Sequence, residues 1–110
     1  MNIYQYINIL TQYIITMPTK KIMKTTDIMR LLSDPTRLEI LTVLFKERNG
    51  ICVGEIADKV GVAHSATSHH LSKLEAKGIA TCYRDGQTIC YELKQSELTQ
   101  KIQQIINLFT

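Results

Sequence analysis

The spacing of apolar residues changes along the chain, and each change marks a predicted element. Up to Lys77, and again after Ser96, apolar residues recur every three or four positions, which is typical of amphipathic helices. Between Gly78 and Leu93 the period falls to two, which is typical of strands. The pattern therefore predicts a mainly α-helical protein with one small β-hairpin.

Residues 1–19 carry no charged side chain and are interpreted as an N-terminal extension. Their apolar residues have heptad-like spacing, which predicts an extra helix that packs on a dimer and that Pro18 ends. These residues are Ile3, Ile7, Leu10, Ile14 and Met17. A poorly ordered extension, or a true start at Met17 or Met23, are the alternatives. No basic segment precedes the stretch and no apolar run reaches about 18 residues, so neither a signal peptide nor a membrane span is expected.

Residues 20–110 are expected to form one domain, since 110 residues with 45% hydrophobic content suit a single core. A helix is predicted over Lys20–Leu32. Asp34 can cap the next helix and Pro35 suits its first position. That helix is expected to run to about Arg48, and its predicted core positions are Leu38, Leu41, Leu44 and Phe45.

Two helical patterns follow, over Val53–Val60 and from about His64 to Lys77. A short connection that contains Gly61 joins them, which is the signature of a helix-turn-helix. Two alternating runs then flank Asp85-Gly86 and predict a β-hairpin. A helix-turn-helix followed directly by a hairpin is a winged helix, most often a DNA-binding fold.

The register of the hairpin has two alternatives. If Asp85-Gly86 is a two-residue turn, Arg84 pairs with Gln87 and the thiols of Cys82 and Cys90 lie on opposite faces. If the loop is one residue longer, Arg84 pairs with Thr88 and Cys82 lies opposite Cys90. The longer loop is favoured because it places the apolar residues of both strands on one face, although the Asp-Gly dipeptide favours the shorter one.

The three cysteines are an odd number without framework spacing, which favours a reducing cytoplasm over a secreted disulfide scaffold. In the longer-loop register, Cys82 and Cys90 would face each other on the wing. Such a pair could form a disulfide or take a soft electrophile, and so act as a thiol sensor. The alternative is that both are ordinary strand cysteines.

Four stretches in combination resemble the ArsR/SmtB family of winged-helix repressors. They are LLSDPTRLEILTVL at 31–44, ICVGEIADKVGV at 51–62, HSATSHHLSKLEAKGI at 64–79 and RDGQTICYEL at 84–93. The resemblance covers roughly residues 28–93. It implies a homodimer that binds a palindromic operator in double-stranded DNA, represses transcription and is released by an inducer. Family members usually carry a polar residue where Ala63 stands, so the second helix of the pair is expected to have a weak N-terminal cap.

The resemblance also bears on metal binding, since metal-sensing relatives carry Cys-Val-Cys where this chain has Cys52-Val53-Gly54. The last helix lacks the Asp and His of a second zinc site known in the family. No metal and no other cofactor is therefore expected. Cys52 is interpreted as a small buried apolar side chain.

The candidate DNA-binding residues lie on the predicted second helix and the wing. Ser65, His69 and Lys73 point away from the inward face, with Ser68 at its border. The two serines and His69 are predicted to contact bases or phosphates, and Lys73 a phosphate. Arg84 near the wing tip suits a minor groove or a phosphate. The alternative is a solvated helix face.

The last helix, capped by Ser96, is predicted to form the dimer. Its apolar seam is Leu98, Ile102, Ile105 and Phe109; packing on its own domain is the alternative. The prediction is thus a DNA-binding regulator, and a winged helix that binds protein is the alternative function. A net charge of +3 permits DNA binding without requiring it. No catalytic motif is present, so no catalytic residue is expected.

Overall fold

The computed structural model describes residues 2–16 and 19–109. Over these ranges the chain forms six helices and three short strands. They are α1 (Ile3–Thr16), α2 (Thr19–Leu32), α3 (Pro35–Lys46), β1 (Ile51–Cys52), α4 (Val53–Val60), α5 (His64–Ala76), β2 (Ala80–Asp85), β3 (Thr88–Leu93) and α6 (Glu97–Leu108). The predicted mainly helical winged helix-turn-helix is confirmed, with β1 as an added third strand.

The chain divides into two compact units, one up to Ser33 and one from Asp34 onward. The first unit holds α1 and α2. The side chains of Ile3, Ile7 and Leu10, which form the start of the predicted apolar stripe, are exposed on α1. Met17 and Pro18, at the predicted end of this helix, lie outside the described residues.

The second unit is built around the face that α3, α4 and α5 share. Its fully buried side chains include Ile40, Leu41, Leu44, Ile56, Leu71, Leu74, Ile79 and Ile102. On α3, Leu41 and Leu44 were predicted to face the core, whereas Ile40 was not. Leu38 and Phe45 are only half-buried. The inward face of α3 is therefore rotated slightly from the predicted one.

Helix starts in this unit differ in their capping. The Asp34 carboxylate accepts a hydrogen bond of 3.0 Å from the Arg37 backbone N–H, and Pro35 occupies the first helical position of α3. Ser96 and Thr99 form a reciprocal capping box at α6. Within the described chain, no side chain caps α5 at Ala63. The start of α5 therefore lacks a side-chain cap, which agrees with the weak cap expected from Ala63.

The sheet is antiparallel with the strand order β1-β3-β2, and both predicted hairpin registers are wrong. Asp85 pairs with Thr88 and Arg84 with Ile89, so the two turn residues are Gly86 and Gln87. Gly86 has a φ of +66°. A positive φ at the first central residue is what a type II′ hairpin turn requires, and glycine takes it at little cost. The turn therefore lies one residue further along than the Asp-Gly dipeptide indicated.

Candidate nucleic-acid interface

Helix α5 has one buried side and one exposed polar side. Thr67, Leu71 and Leu74 are fully buried. The predicted DNA-binding residues Ser65, His69 and Lys73 are exposed on the other side, and Ser68 is half-buried at the border. Anchoring a helix through one face leaves the opposite face fixed in direction, which is the arrangement a groove-reading helix needs.

The wing is joined to α5 through Tyr91. The ring of this β3 residue is buried, and its hydroxyl interacts with Ser72 of α5 and Cys82 of β2. Burial raises the pKa of the Tyr91 hydroxyl, so it stays a neutral hydrogen-bonding group. Arg84 is exposed on β2 and pairs with Ile89, one pair before the Asp85–Thr88 pair that borders the turn. The wing therefore carries a cation at its outer end while its base is packed on α5.

The favoured arrangement of Cys82 opposite Cys90 is wrong. Cys82 pairs with Tyr91, whereas Cys90 pairs with Tyr83, so the two cysteines lie on opposite faces of the hairpin. Cys82 is exposed and carries a free thiol. Cys90 is instead bonded to Cys52, which faces it directly across β1 and β3. The interpretation of Cys52 as a small buried apolar side chain is also wrong, because Cys52 is half-buried and forms this disulfide. The pairing of β1 with the wing, which was not predicted, places it there.

Tyr83 covers the Cys90 end of this disulfide. Tyr83 lies on β2 beside Cys90, and its hydroxyl sits where a Cβ on Gly50 would be, at the entry to β1. Since β3 lies between β2 and β1, the Tyr83 side chain crosses β3 on the face that carries Cys90 in order to reach Gly50. Cys90 is accordingly only 1% exposed. Gly50, with a φ of +100°, supplies both the backbone conformation and the space for the ring.

The other end of the disulfide borders a cleft between the wing tip and the helix-turn-helix. This cleft has a volume of about 600 Å³. Its lining includes Cys52, Glu55, Asp58, His64, Asp85 and Thr88. Three carboxylates thus surround it, and His64 is also the first residue of α5. The cleft therefore borders the start of α5.

His70 lies on the α5 side that faces the start of α3. Among the described residues its Nδ1 atom is buried and finds no hydrogen-bond partner. Burial lowers the pKa of His70, and the Asp34 carboxylate opposes that shift by favouring the charged ring. His70 is therefore neutral at neutral pH. It is half-buried, whereas the neighbouring His69 is exposed.

The residues of the predicted dimer seam on α6 differ in how far they are buried within the single chain. Ile102 is 0% exposed within the single chain, so its side chain packs inside its own domain. Leu98 and Ile105 are half-buried, whereas Leu108 and Phe109 are 79% and 85% exposed. On α6, the exposed apolar surface is therefore concentrated at the C-terminal end of the helix.

No group of three or more His, Cys, Asp or Glu side chains is placed to hold a metal ion in the described ranges. Among the same residues, no helix is both long and apolar enough to cross a membrane.

Comparison with known proteins gives a consistent result. A family profile described as "Bacterial regulatory protein, arsR family" matches residues 34–81. The nodulation protein NolR of Rhizobium meliloti is 48% identical over 60 residues, which cover 54% of this chain and 48% of that protein. The transcriptional repressor SdpR of Bacillus subtilis is 31% identical over 81 residues, covering 74% of this chain and 88% of that protein. The match thus spans about half of the NolR sequence but most of SdpR.

A solved structure agrees with the sequence matches. The crystal structure of NolR from Sinorhizobium fredii superposes with a TM-score of 0.71 and 36% sequence identity. The superposition covers 82% of this chain and 87% of that one. The winged helix-turn-helix architecture is therefore shared over more than four fifths of each chain.

Proposed function

This chain belongs to the ArsR family of bacterial regulatory proteins, and we propose that it is a sequence-specific DNA-binding repressor that acts as a homodimer. The observation that carries the proposal is the two-sided α5. Its three fully buried anchors lie opposite the exposed polar side chains Ser65, His69 and Lys73. A helix held in this way can enter a major groove and present those side chains to base edges.

The proposed contacts fall into two classes. Ser65, Ser68 and His69 lie in the first two turns of α5, and their short donors and acceptors suit base edges or nearby phosphates. Lys73 and Arg84 carry the positive charges, one further along α5 and one on the wing, and suit phosphates or a minor groove. The first class gives sequence preference, and the second gives affinity that depends on salt.

A homodimer explains the apolar end of α6. Leu108 and Phe109 expose most of their surface in one chain, and the half-buried Leu98 and Ile105 lie on the same helix. Pairing two copies about a twofold axis would bury these residues and present two α5 helices to one side of the DNA. Such a dimer reads a palindromic operator with half-sites about one helical turn apart. The proposal includes an inducer that lowers operator affinity, since repression has to be reversible.

The direct test is binding to duplex DNA selected from a random pool by the protein itself. Fluorescence anisotropy over a salt series should give a steep fall of log K with log[salt] for the selected duplex. Lys73→Ala should reduce the slope by about 1.8, because each of two symmetric phosphate contacts contributes about 0.9. Lys101→Ala is the matched control, since Lys101 is exposed and forms an ion pair of 3.1 Å with Glu97 on the polar side of α6.

Each result has a distinct meaning. An unchanged slope in Lys73→Ala would contradict the proposed face of α5, and a loss of only about 0.9 would contradict two symmetric contacts. Absence of salt-sensitive binding to any duplex would overturn the proposal and favour a protein-binding winged helix.

The dimer has its own test. Phe109→Ala should shift the monomer–dimer equilibrium, measured by sedimentation equilibrium, towards monomer. An unchanged dimer would contradict the proposed role of that side chain.

A further inference from the structure

We propose that the Cys52–Cys90 disulfide is a thiol–disulfide exchange site, entered at Cys52 through the acidic cleft and selective for uncharged or cationic small thiols. We further propose that bound DNA shields this site from small thiols; this part of the proposal rests on the proposed function. The site is distinct from the predicted Cys82–Cys90 pair, which the hairpin register does not allow.

Access decides which sulfur can be attacked. Cys90 is 1% exposed and lies under the Tyr83 ring, which reaches across β3 to Gly50. Cys52 is half-buried and borders the cleft. Because a thiolate has to approach one sulfur directly, the route through the cleft leads to Cys52. Cys90 is then the leaving group, although the position of Cys52 at the start of α4 would by itself make Cys52 the better leaving group.

The exchange takes place in two balanced steps. A small thiolate attacks the Cys52 sulfur, the bond to Cys90 breaks, and the Cys90 thiolate leaves and takes up a proton. A second small thiolate then attacks the mixed disulfide and releases the Cys52 thiolate. Overall, two small thiols are oxidised to one disulfide, and the protein disulfide is reduced to two thiols by the same two electrons.

The charge of the cleft selects among small thiols. The three acidic residues Glu55, Asp58 and Asp85 line it, and all three are exposed. The attacking species is a thiolate, so their field repels a thiolate that also carries a carboxylate much more than one that also carries an ammonium group, over roughly a Debye length. The difference should therefore be large at low ionic strength and small at high ionic strength.

DNA would close the same cleft. His64 begins α5 and Asp85 ends the strand that carries Arg84, so the cleft opens between the two elements that are proposed to contact DNA. A duplex lying across both would cover the opening and would also exclude anionic thiols through its phosphates. Exchange is therefore expected mainly in the free protein.

The first experiment uses a Cys82→Ser background, which removes the exposed free thiol from the reaction. The rate at which each thiol, cysteamine or 3-mercaptopropionate, reduces the protein is divided by the rate at which the same thiol reduces a small uncharged linear disulfide. This division removes differences in the intrinsic reactivity of the two thiols. The corrected ratio should favour cysteamine about fivefold at 0.1 M salt and approach one at 1 M. The Glu55→Gln, Asp58→Asn, Asp85→Asn triple variant is expected to remove the preference, and a ratio near one in the parent protein would overturn the selectivity.

The second experiment locates the attack. Mass spectrometry of rapidly acid-quenched reactions should find the small thiol on the peptide with Cys52. An adduct on Cys90 would overturn the assignment. In single-cysteine variants, alkylation by a neutral maleimide should be at least about tenfold faster at Cys52 than at Cys90, because burial controls thiol access. Equal rates would contradict the role of Tyr83 as a cover.

The third experiment tests shielding with the duplex that the protein selects. A saturating amount should slow reduction by cysteamine at least about tenfold, in proportion to the fraction of protein bound, whereas the same amount of a non-binding duplex should not. Reduction at the free rate in the bound state would overturn shielding but leave the exchange site in place. If no duplex binds, the proposed function and shielding both fail, while the first two experiments still decide the exchange site.

Discussion

Helix α5 and the β2–β3 hairpin contribute to the same proposed interface but are held in different ways. The helix is fixed by Thr67, Leu71 and Leu74, which are 0% exposed. The outer half of the hairpin is exposed, and the hairpin is held mainly at its base by Tyr91, the disulfide and the contact of Tyr83 with Gly50. We therefore expect changes in the helix to affect stability most, and changes in the outer wing to affect DNA binding with little cost to the stability of the fold.

The largest expected effect comes from shortening an anchor of α5. Leu74→Ala should lower the free energy of unfolding by about 2–5 kcal/mol, since it leaves a cavity in the core. Ile89→Ala on the wing is the matched truncation; Ile89 is 43% exposed, so its loss should change stability by less than about 0.5 kcal/mol. Urea denaturation measures both. Similar losses would show that the hairpin is as tightly packed as the helix.

A smaller loss is expected where the wing meets β1. Gly50→Ala places a methyl group against the Tyr83 hydroxyl at a positive φ, and should cost about 1–3 kcal/mol. In a Tyr83→Leu background the steric part should disappear, leaving only the backbone cost. A double-mutant cycle measures this coupling. Equal costs in both backgrounds would mean that Tyr83 does not press on Gly50.

The start of α5 should gain stability from a new cap. Ala63→Ser adds a side-chain acceptor for the uncapped backbone N–H groups, and should raise the free energy of unfolding by about 1 kcal/mol. Ala66→Ser is the control, because Ala66 is exposed inside α5 and cannot cap it. If both variants behave alike in urea denaturation, a capping effect at Ala63 is ruled out.

The smallest effect is the pH dependence of His70. Burial holds its pKa in the folded protein below the usual value of 6.5, so the unfolded chain binds a proton more readily. The contribution of neutral His70 to stability is therefore complete above pH 6.5 and is lost as the pH falls through the folded pKa. His70→Gln should make stability less dependent on pH in that window. A His70 ring titration by NMR with a pKa above 6.5 would contradict this sign.

The same two regions show what the sequence can predict. The 3.6-residue period and Gly78 define the faces and end of α5, so its buried and exposed residues could be predicted correctly. The hairpin has a period of two, and its two faces both carry apolar residues, among them Tyr91 on one and Cys90 on the other. Shifting the pairing of β2 with β3 by one residue therefore still places apolar residues on one face of the hairpin, so the hydrophobic pattern does not fix the register. The turn conformation of Gly86 does.

The disulfide and the cleft could not be predicted for a related reason. Both depend on β1, a two-residue strand whose length is too short to give an alternating pattern. Only its pairing with β3 brings Cys52 opposite Cys90, and that pairing joins residues that are 38 apart in the chain. By contrast, the Asp34 and Ser96 caps are local signals, and both were predicted.

The most direct test of the proposed interface is an NMR titration of the protein with its selected duplex. The backbone amides of Ser65, His69, Lys73 and Arg84 should show the largest chemical-shift changes. Those of Gln100 and Gln104, on the polar side of α6, should change little. Changes concentrated on α6, with α5 and the wing unaffected, would contradict the account.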